Sequence, residues 1–206
     1  MTRKPKVLNP NETYTFAKYF DLPYSIEDIL ADFDCTIDYQ ILTLPQEQLE
    51  IDIELLSRQI QRNIRIVELT SEIARREAIC APILQEVCGK LNLRMRIEYT
   101  INVSNWLRGT LDYYIPTPQN LLIVEAKRQD LIKGFTQLAV ELIALDQWTE
   151  TETNIFYGIV TTGTEWQFGR FDRNRRHITQ DLKLYRIPEE LKNLTEILLG
   201  LLSKTD

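Results

Sequence analysis

Gly109-Thr110-Leu111-Asp112-Tyr113-Tyr114-Ile115 and Leu121-Leu122-Ile123-Val124-Glu125-Ala126-Lys127 are two largely apolar runs joined by Pro116-Thr117-Pro118-Gln119-Asn120. Two prolines and an asparagine mark a turn, so the runs read as the strands of an antiparallel hairpin. A four-residue loop over 117–120 pairs Pro116 with Leu121. Counting outward then sets Tyr114 against Ile123, Asp112 against Glu125 and Thr110 against Lys127. Directly opposite side chains have Cβ atoms about 4.5–5.5 Å apart. Two carboxylates so placed repel, and burying them without a counter-charge is costly. Lys127 shares a strand face with Glu125, because residues i and i+2 point the same way. A divalent cation with oxygen ligands neutralises the pair more completely.

Working outward, Thr70 or Ser71 is placed to cap a helix running to about Leu91, with Gly89 near its end. Strand-like runs follow at 93–103, 107–115 and 121–127. Asp130 then caps a long helix to Trp148, and further strands are expected at 155–162, 165–171 and 178–185. A last amphipathic helix spans 189–202, just after Pro188. This order predicts an α/β (α+β) protein, a mixed β-sheet flanked by helices. Residues 1–69 read as a separate, mostly helical N-terminal accessory segment, and 70–206 as the main domain. In the accessory segment, 1–12 form a tail, Ser25 caps a helix over 26–33, a strand lies at 39–44, and Pro45 opens a helix reaching about Ile64. That segment carries no chemical motif and reads as an interaction surface or supporting layer.

Asp112, twelve intervening residues and Glu125-Ala126-Lys127 resemble the D…(D/E)-x-K signature of the PD-(D/E)XK nuclease superfamily. GTLDYYI and LLIVEAKRQ are also similar to the nuclease domain of type I restriction subunits and small stand-alone relatives. The likeness covers about residues 70–170, and Gly109 stands where the eponymous proline would be. It implies a restriction-endonuclease-like core of order αβββαβ. It further implies that Asp112, Glu125 and the Ala126 carbonyl hold Mg²⁺ or Mn²⁺, and that Lys127 orients or helps deprotonate a water.

The resemblance also implies a glutamate on the preceding helix, where Glu72 and Glu77 are the candidates. At 100° per residue, Ile73, Ile79, Cys80, Ile83, Leu84 and Val87 form one apolar arc. Glu72 projects inside it and Glu77 beyond its edge. The S-E-x-x-x-R…P-I-L pattern of the type I relatives favours Glu72, with Arg76 four residues on as its partner. An acid stabilising the helix dipole explains Glu72 equally well. Gln137, ten residues after Lys127, matches a helix glutamine near the site in many such nucleases. Leu131, Phe135, Leu138, Leu142 and Leu145 make one helix face, leaving Lys133, Gln137 and Glu141 as a polar stripe. That stripe faces either solvent or a cleft at the sheet edge.

Bulk properties narrow the function classes. The net charge is −6 and sits mostly in residues 1–69, which hold seven basic and twelve acidic side chains. Such a chain makes a poor non-specific DNA coat, although a locally basic groove remains compatible with an enzyme. The densest basic run, Arg173-Asn174-Arg175-Arg176-His177, suits either a solvated turn or contact with substrate phosphates through Arg173, Arg175 and Arg176. Cys35, Cys80 and Cys88 have no paired spacing, which argues against disulfides and a zinc site. With no apolar run long enough to span a bilayer and no secretory h-region, a cytoplasmic protein is expected. The expected function is a magnesium-dependent endonuclease acting on DNA, for which a homodimer would supply the two sites that duplex cuts need. The alternatives are a catalytically silent nuclease-fold module that binds nucleic acid or protein, and a structural hairpin in which Lys127 bridges both acids.

Overall fold

A computed structural model describes residues 6–48, 50–117, 121–125 and 130–203, with 121–125 described by backbone alone. The helix expected from Ser71 begins there, because the Ser71 hydroxyl accepts from the Ala74 N–H at 3.0 Å. It comprises α4 (Glu72–Arg75), a π-helical turn (Arg76–Cys80) and α5 (Ala81–Leu91), closed by Asn92 in the left-handed region. Strands β2 (Arg96–Asn102), β3 (Arg108–Ile115) and β4 (Leu121–Glu125) come next. Asp130 then caps α6 (Leu131–Trp148), accepting from the Lys133 N–H at 3.0 Å. Strands β5 (Ile155–Thr161), β6 (Glu165–Asp172) and β7 (His177–Arg186) lead to α7 (Leu191–Leu202). The helix, three-strand, helix, strand order is therefore present.

Upstream lie α1 (Phe16–Asp21), α2 (Ile26–Ala31), β1 (Thr36–Gln40) and α3 (Ile53–Ile66). Ser25 caps α2 as expected, through the Asp28 N–H. Two expectations fail here. The strand falls at 36–40, not 39–44, because it pairs in parallel with β7 from Thr36↔His177 to Gln40↔Asp181. The long helix starts at Asp52, whose carboxylate accepts from the Leu55 N–H, and not at Pro45. Pro45 is packed tightly against α7, where a Cβ on Gly200 would lie 2.6 Å from the Pro45 carbonyl.

Among the described residues, seven strands form one mixed sheet in the order β1-β7-β6-β5-β4-β3-β2. β4 runs parallel to β5 and β1 to β7, and the remaining neighbours are antiparallel. One face is covered by α1, α2 and α6, with Phe16, Tyr19, Ile29, Phe135 and Leu142 in its core. The other is covered by α3, the π turn, α5 and α7, around Ile79, Leu84, Trp166 and Leu198. Residues 1–69 thus supply a strand to the sheet and helices to both layers. No helix among the described residues is long and apolar enough to cross a membrane.

Helix α6 carries Gln137 and Glu141, and its seat is set by two glycines. Gly158 and Gly169 pair across β5 and β6. A Cβ on Gly158 would lie 2.6 Å from Leu138 Cδ1, and one on Gly169 would lie 2.8 Å from the Phe135 ring. The missing side chains let α6 lie close to the sheet, at ordinary packing density. Alanine at both positions should push α6 outward and cost about 1–3 kcal/mol per site through overpacking. Urea unfolding of G158A, G169A and the double variant checks this, and wild-type stability in the double variant would contradict it.

Candidate functional site

The β3–β4 hairpin forms, but in a different register from the one its sequence suggests. Ile115 pairs with Leu121, Tyr114 with Leu122 and Tyr113 with Ile123. Pro116 has no N–H to give to a ladder, so pairing begins one residue earlier than a Pro116–Leu121 pair would require. A one-residue slip exchanges strand faces. Continued, this register carries Asp112 toward Val124 and not toward Glu125, and the described pairs end at Tyr113↔Ile123. The backbone of Glu125 pairs with Thr161 of β5. Ala126 and Lys127 lie outside the described residues, as does the side chain of Glu125. The hairpin register therefore does not itself press the two acids together.

Asp112 instead sits at an irregular point between β2 and β3. Ile97↔Tyr113 and Tyr99↔Leu111 are paired, and between them Glu98 faces Asp112 with its backbone in the left-handed region at φ 52°. A non-glycine residue in that region within a strand stores strain of order 1–3 kcal/mol. Arg76 bridges the irregularity from the π turn. Its guanidinium lies 3.3 Å from the Asp112 carboxylate and also hydrogen-bonds Glu98. The same guanidinium lies over the Tyr113 ring, 5.1 Å from its centroid. The Tyr113 hydroxyl donates to the Arg76 carbonyl at 3.5 Å. Burial pushes the Tyr113 phenol up to about 12.

The π turn also explains what the 100° projection missed. One such turn changes the rotation per residue, so positions before and after it lose their shared phase. Ile73, assigned to the apolar arc, is 69% exposed. Arg76 pairs with Asp112 and Glu98, whereas helical spacing had suggested Glu72. Glu72 is half-buried in the first turn after Ser71. Glu77 is exposed, although its charge reaches the Tyr113 hydroxyl.

From the other side of the sheet comes α6. Gln137 and Glu141 do not face solvent, being 7% and 0% exposed. Helices α1 and α2 share the buried layer with α6 and leave only Lys133 of the polar stripe outside. The Gln137 side-chain amide donates to Glu141 Oε1 at 2.9 Å, and Glu141 Oε2 has no hydrogen-bond partner among the described residues. Burial pushes the Glu141 carboxyl well above the usual carboxylate range. The Gln137 hydrogen bond works against this, and the nearby Asp112 charge adds to it. Gly109, in place of the motif proline, has φ 145°, and a Cβ there would lie 2.8 Å from Phe16 of α1. Its absence lets α1 cross β3 closely, which helps close the layer over α6.

The basic run lies at the other end of the sheet. Asp172 pairs with Ile155 at the start of β5, whereas Glu125 pairs with Thr161 at its end, about 20 Å away along the strand. Arg173 hydrogen-bonds Asp146 and the carbonyls of Thr151 and Thr153. Arg176 donates to the Phe33 carbonyl, and Arg175 is exposed. His177 contacts Thr36 and Asp38 on β1. These groups tie the β6–β7 turn to α2, α6 and β1, away from Asp112.

The structure thus brings together Asp112, Arg76 and Glu98, and pairs Gln137 with Glu141 inside the α6 layer. Among the described residues, no group of three or more His, Cys, Asp or Glu side chains is placed to hold a metal ion. The second acid of the sequence motif, Glu125, has no described side chain. Sequence reasoning missed Glu98 and gave Glu141 no role. One signal for Glu141 was present, since Gln137 and Glu141 interrupt an otherwise apolar run in α6 at helical spacing i, i+4. No protein-family model matches the chain, and no curated protein matches it either.

Arg76→Met should destabilise the fold by roughly 1–3 kcal/mol, because it strips a half-buried carboxylate of a charged partner. Adding Asp112→Asn should recover much of that loss. Equal losses in the single and double variants, measured by urea unfolding, would show that the pair is not coupled.

Proposed function

We propose that the chain is a divalent-metal-dependent nuclease that hydrolyses phosphodiester bonds in DNA, with a restriction-endonuclease-like core. The observation that supports this reading is that Asp112 of the β3–β4 hairpin, which is preceded by one helix and followed by another, is met at 3.3 Å by Arg76 of the first. On the second helix, Glu141 is a buried carboxylate whose Oε2 has no hydrogen-bond partner among the described residues.

The donor set suits a hard cation, being made of oxygen atoms with an excess of negative charge. Asp112, Glu125 and the Ala126 carbonyl would hold Mg²⁺ or Mn²⁺. When bound, such an ion lowers the pKa of a coordinated water and offsets charge on the scissile phosphate. Lys127 orients that water and balances charge developing on the phosphoryl oxygens. Arg76 fixes the Asp112 carboxylate in direction and keeps its charge partly compensated. Gln137 acts through Glu141 as a positioning group. The exposed Arg175 lies too far along the sheet to share in the chemistry, though it remains available to a long duplex.

A second reading is favoured by one observation: the Arg76 guanidinium already supplies Asp112 with a counter-charge. In that case the fold serves as a module that binds nucleic acid or protein without turnover. The two separate in a cleavage assay with single-stranded, double-stranded and branched DNA and with RNA, with and without Mg²⁺ or Mn²⁺. The nuclease reading predicts metal-dependent cleavage of DNA that Asp112→Asn and Lys127→Ala each reduce by at least a hundredfold. Cleavage at wild-type rate in both variants, or none in the wild type with any substrate, would contradict it.

A further inference from the structure

Charge along the first third of the chain is segregated, and it changes sign in α3. Residues 19–57 carry ten acidic side chains and no lysine or arginine, whereas 58–65 carry Arg58, Arg62 and Arg65 and no acid. At 100° per residue the three arginines fall within an arc of about 60° on α3. Leu56 and Ile60, the buried residues of this helix, point the opposite way. All three arginines are exposed. A solvated helix face ordinarily mixes both signs and pairs them at i, i+4. Here Glu54 stands four residues before Arg58, yet none of the three arginines makes an ion pair with another described residue.

The stripe also has a length and an anchor. From Arg58 to Arg65 it runs about 10 Å along the helix axis, roughly the rise of three nucleotides in one strand of a duplex. A guanidinium is a planar fork that meets phosphate oxygens in pairs. Helix α3 is held on the π turn, where the Asn63 side-chain amide donates to the Ala78 carbonyl at 2.9 Å and Ile60 shares a core with Ile79. The same turn holds Arg76 against Asp112. An anionic lipid surface would match the sign, but a helix lying on lipid needs an apolar face to insert. The apolar face of α3 is buried in the core, and its exposed Leu55 and Ile66 stand about 16 Å apart along the axis.

We propose that the Arg58, Arg62 and Arg65 face of α3 is a docking surface for the phosphate backbone of DNA. The inference takes the class of polymer from the nuclease reading and is independent of any metal site. It gives the N-terminal segment a role, and it lets a chain of net charge −6 hold a polyanion through one local stripe.

The test is equilibrium binding of the full chain to short labelled duplex and single-stranded DNA in EDTA, across about 50 to 200 mM salt. The combined Arg58→Gln, Arg62→Gln and Arg65→Gln variant should keep its urea midpoint, because exposed helix positions tolerate glutamine. It should bind DNA roughly tenfold or more weakly, and its slope of log affinity against log salt should fall by about two to three, each phosphate contact contributing about 0.9. The combined Arg58→Lys, Arg62→Lys and Arg65→Lys variant should retain the slope. Lys18→Gln, on α1 in the opposite layer, should change neither quantity. Unchanged affinity and slope in the glutamine variant would overturn the proposal and leave the nuclease reading standing. Wild-type binding to phosphatidylserine vesicles but to neither form of DNA would also overturn it. DNA binding that depends on the three arginines, without metal-dependent cleavage, would uphold it and sink only the catalytic reading.

Discussion

The close seating of α6 on the sheet governs the buried layer that encloses Gln137 and Glu141. Gly158 and Gly169 leave a flat saddle on which Phe135 and Leu138 rest, and α1 and α2 complete the same buried layer. A helix packed in this way has little room for polar groups, since each one buried must find a partner. Gln137 and Glu141 are tolerated there, and they partner each other. The closeness that excludes water also sharpens every charge interaction in the layer, because the local dielectric is low.

Charge balance follows from that seat. Burial raises the Glu141 carboxyl, and the Asp112 charge adds to that rise, while Arg76 supplies a positive charge to Asp112. The π turn is what brings Arg76 to Asp112, Glu98 and the Tyr113 ring together. On the opposite strand, Glu98 is held at a left-handed backbone to meet the same guanidinium. A helix irregularity and a strand irregularity thus coincide at one residue. Such departures from regular geometry cost stability and collect where a function needs a particular side chain in a particular direction.

Much of the fold was legible because its signals are local. Ser25, Ser71 and Asp130 mark helix starts through hydrogen bonds made within one turn, and each cap is found where the sequence puts it. The strand runs from residue 93 to 186 follow from their apolar and β-branched content. Three features were not legible, each for a physical reason. The hairpin register depended on whether a proline joins the ladder, and its missing N–H moved the pairing by one residue. The helix projection assumed a uniform rotation that the π turn breaks. The burial of Gln137 and Glu141 depends on α1 and α2, which come from a segment expected to stand apart from the main domain. Asp112 was found from its motif, whereas Glu98, the Arg76–Asp112 pair and the burial of Glu141 emerged only from tertiary placement.

The central claim is that this constellation holds a divalent cation, and the most direct measurement is anomalous X-ray diffraction from crystals soaked in Mn²⁺. The account predicts a single strong manganese peak within bonding distance of the Asp112 carboxylate, about 2.0–2.3 Å, with a Glu125 oxygen in the same coordination shell. A fully soaked crystal in which Arg76 alone neutralises Asp112, with no manganese beside it, would contradict the account.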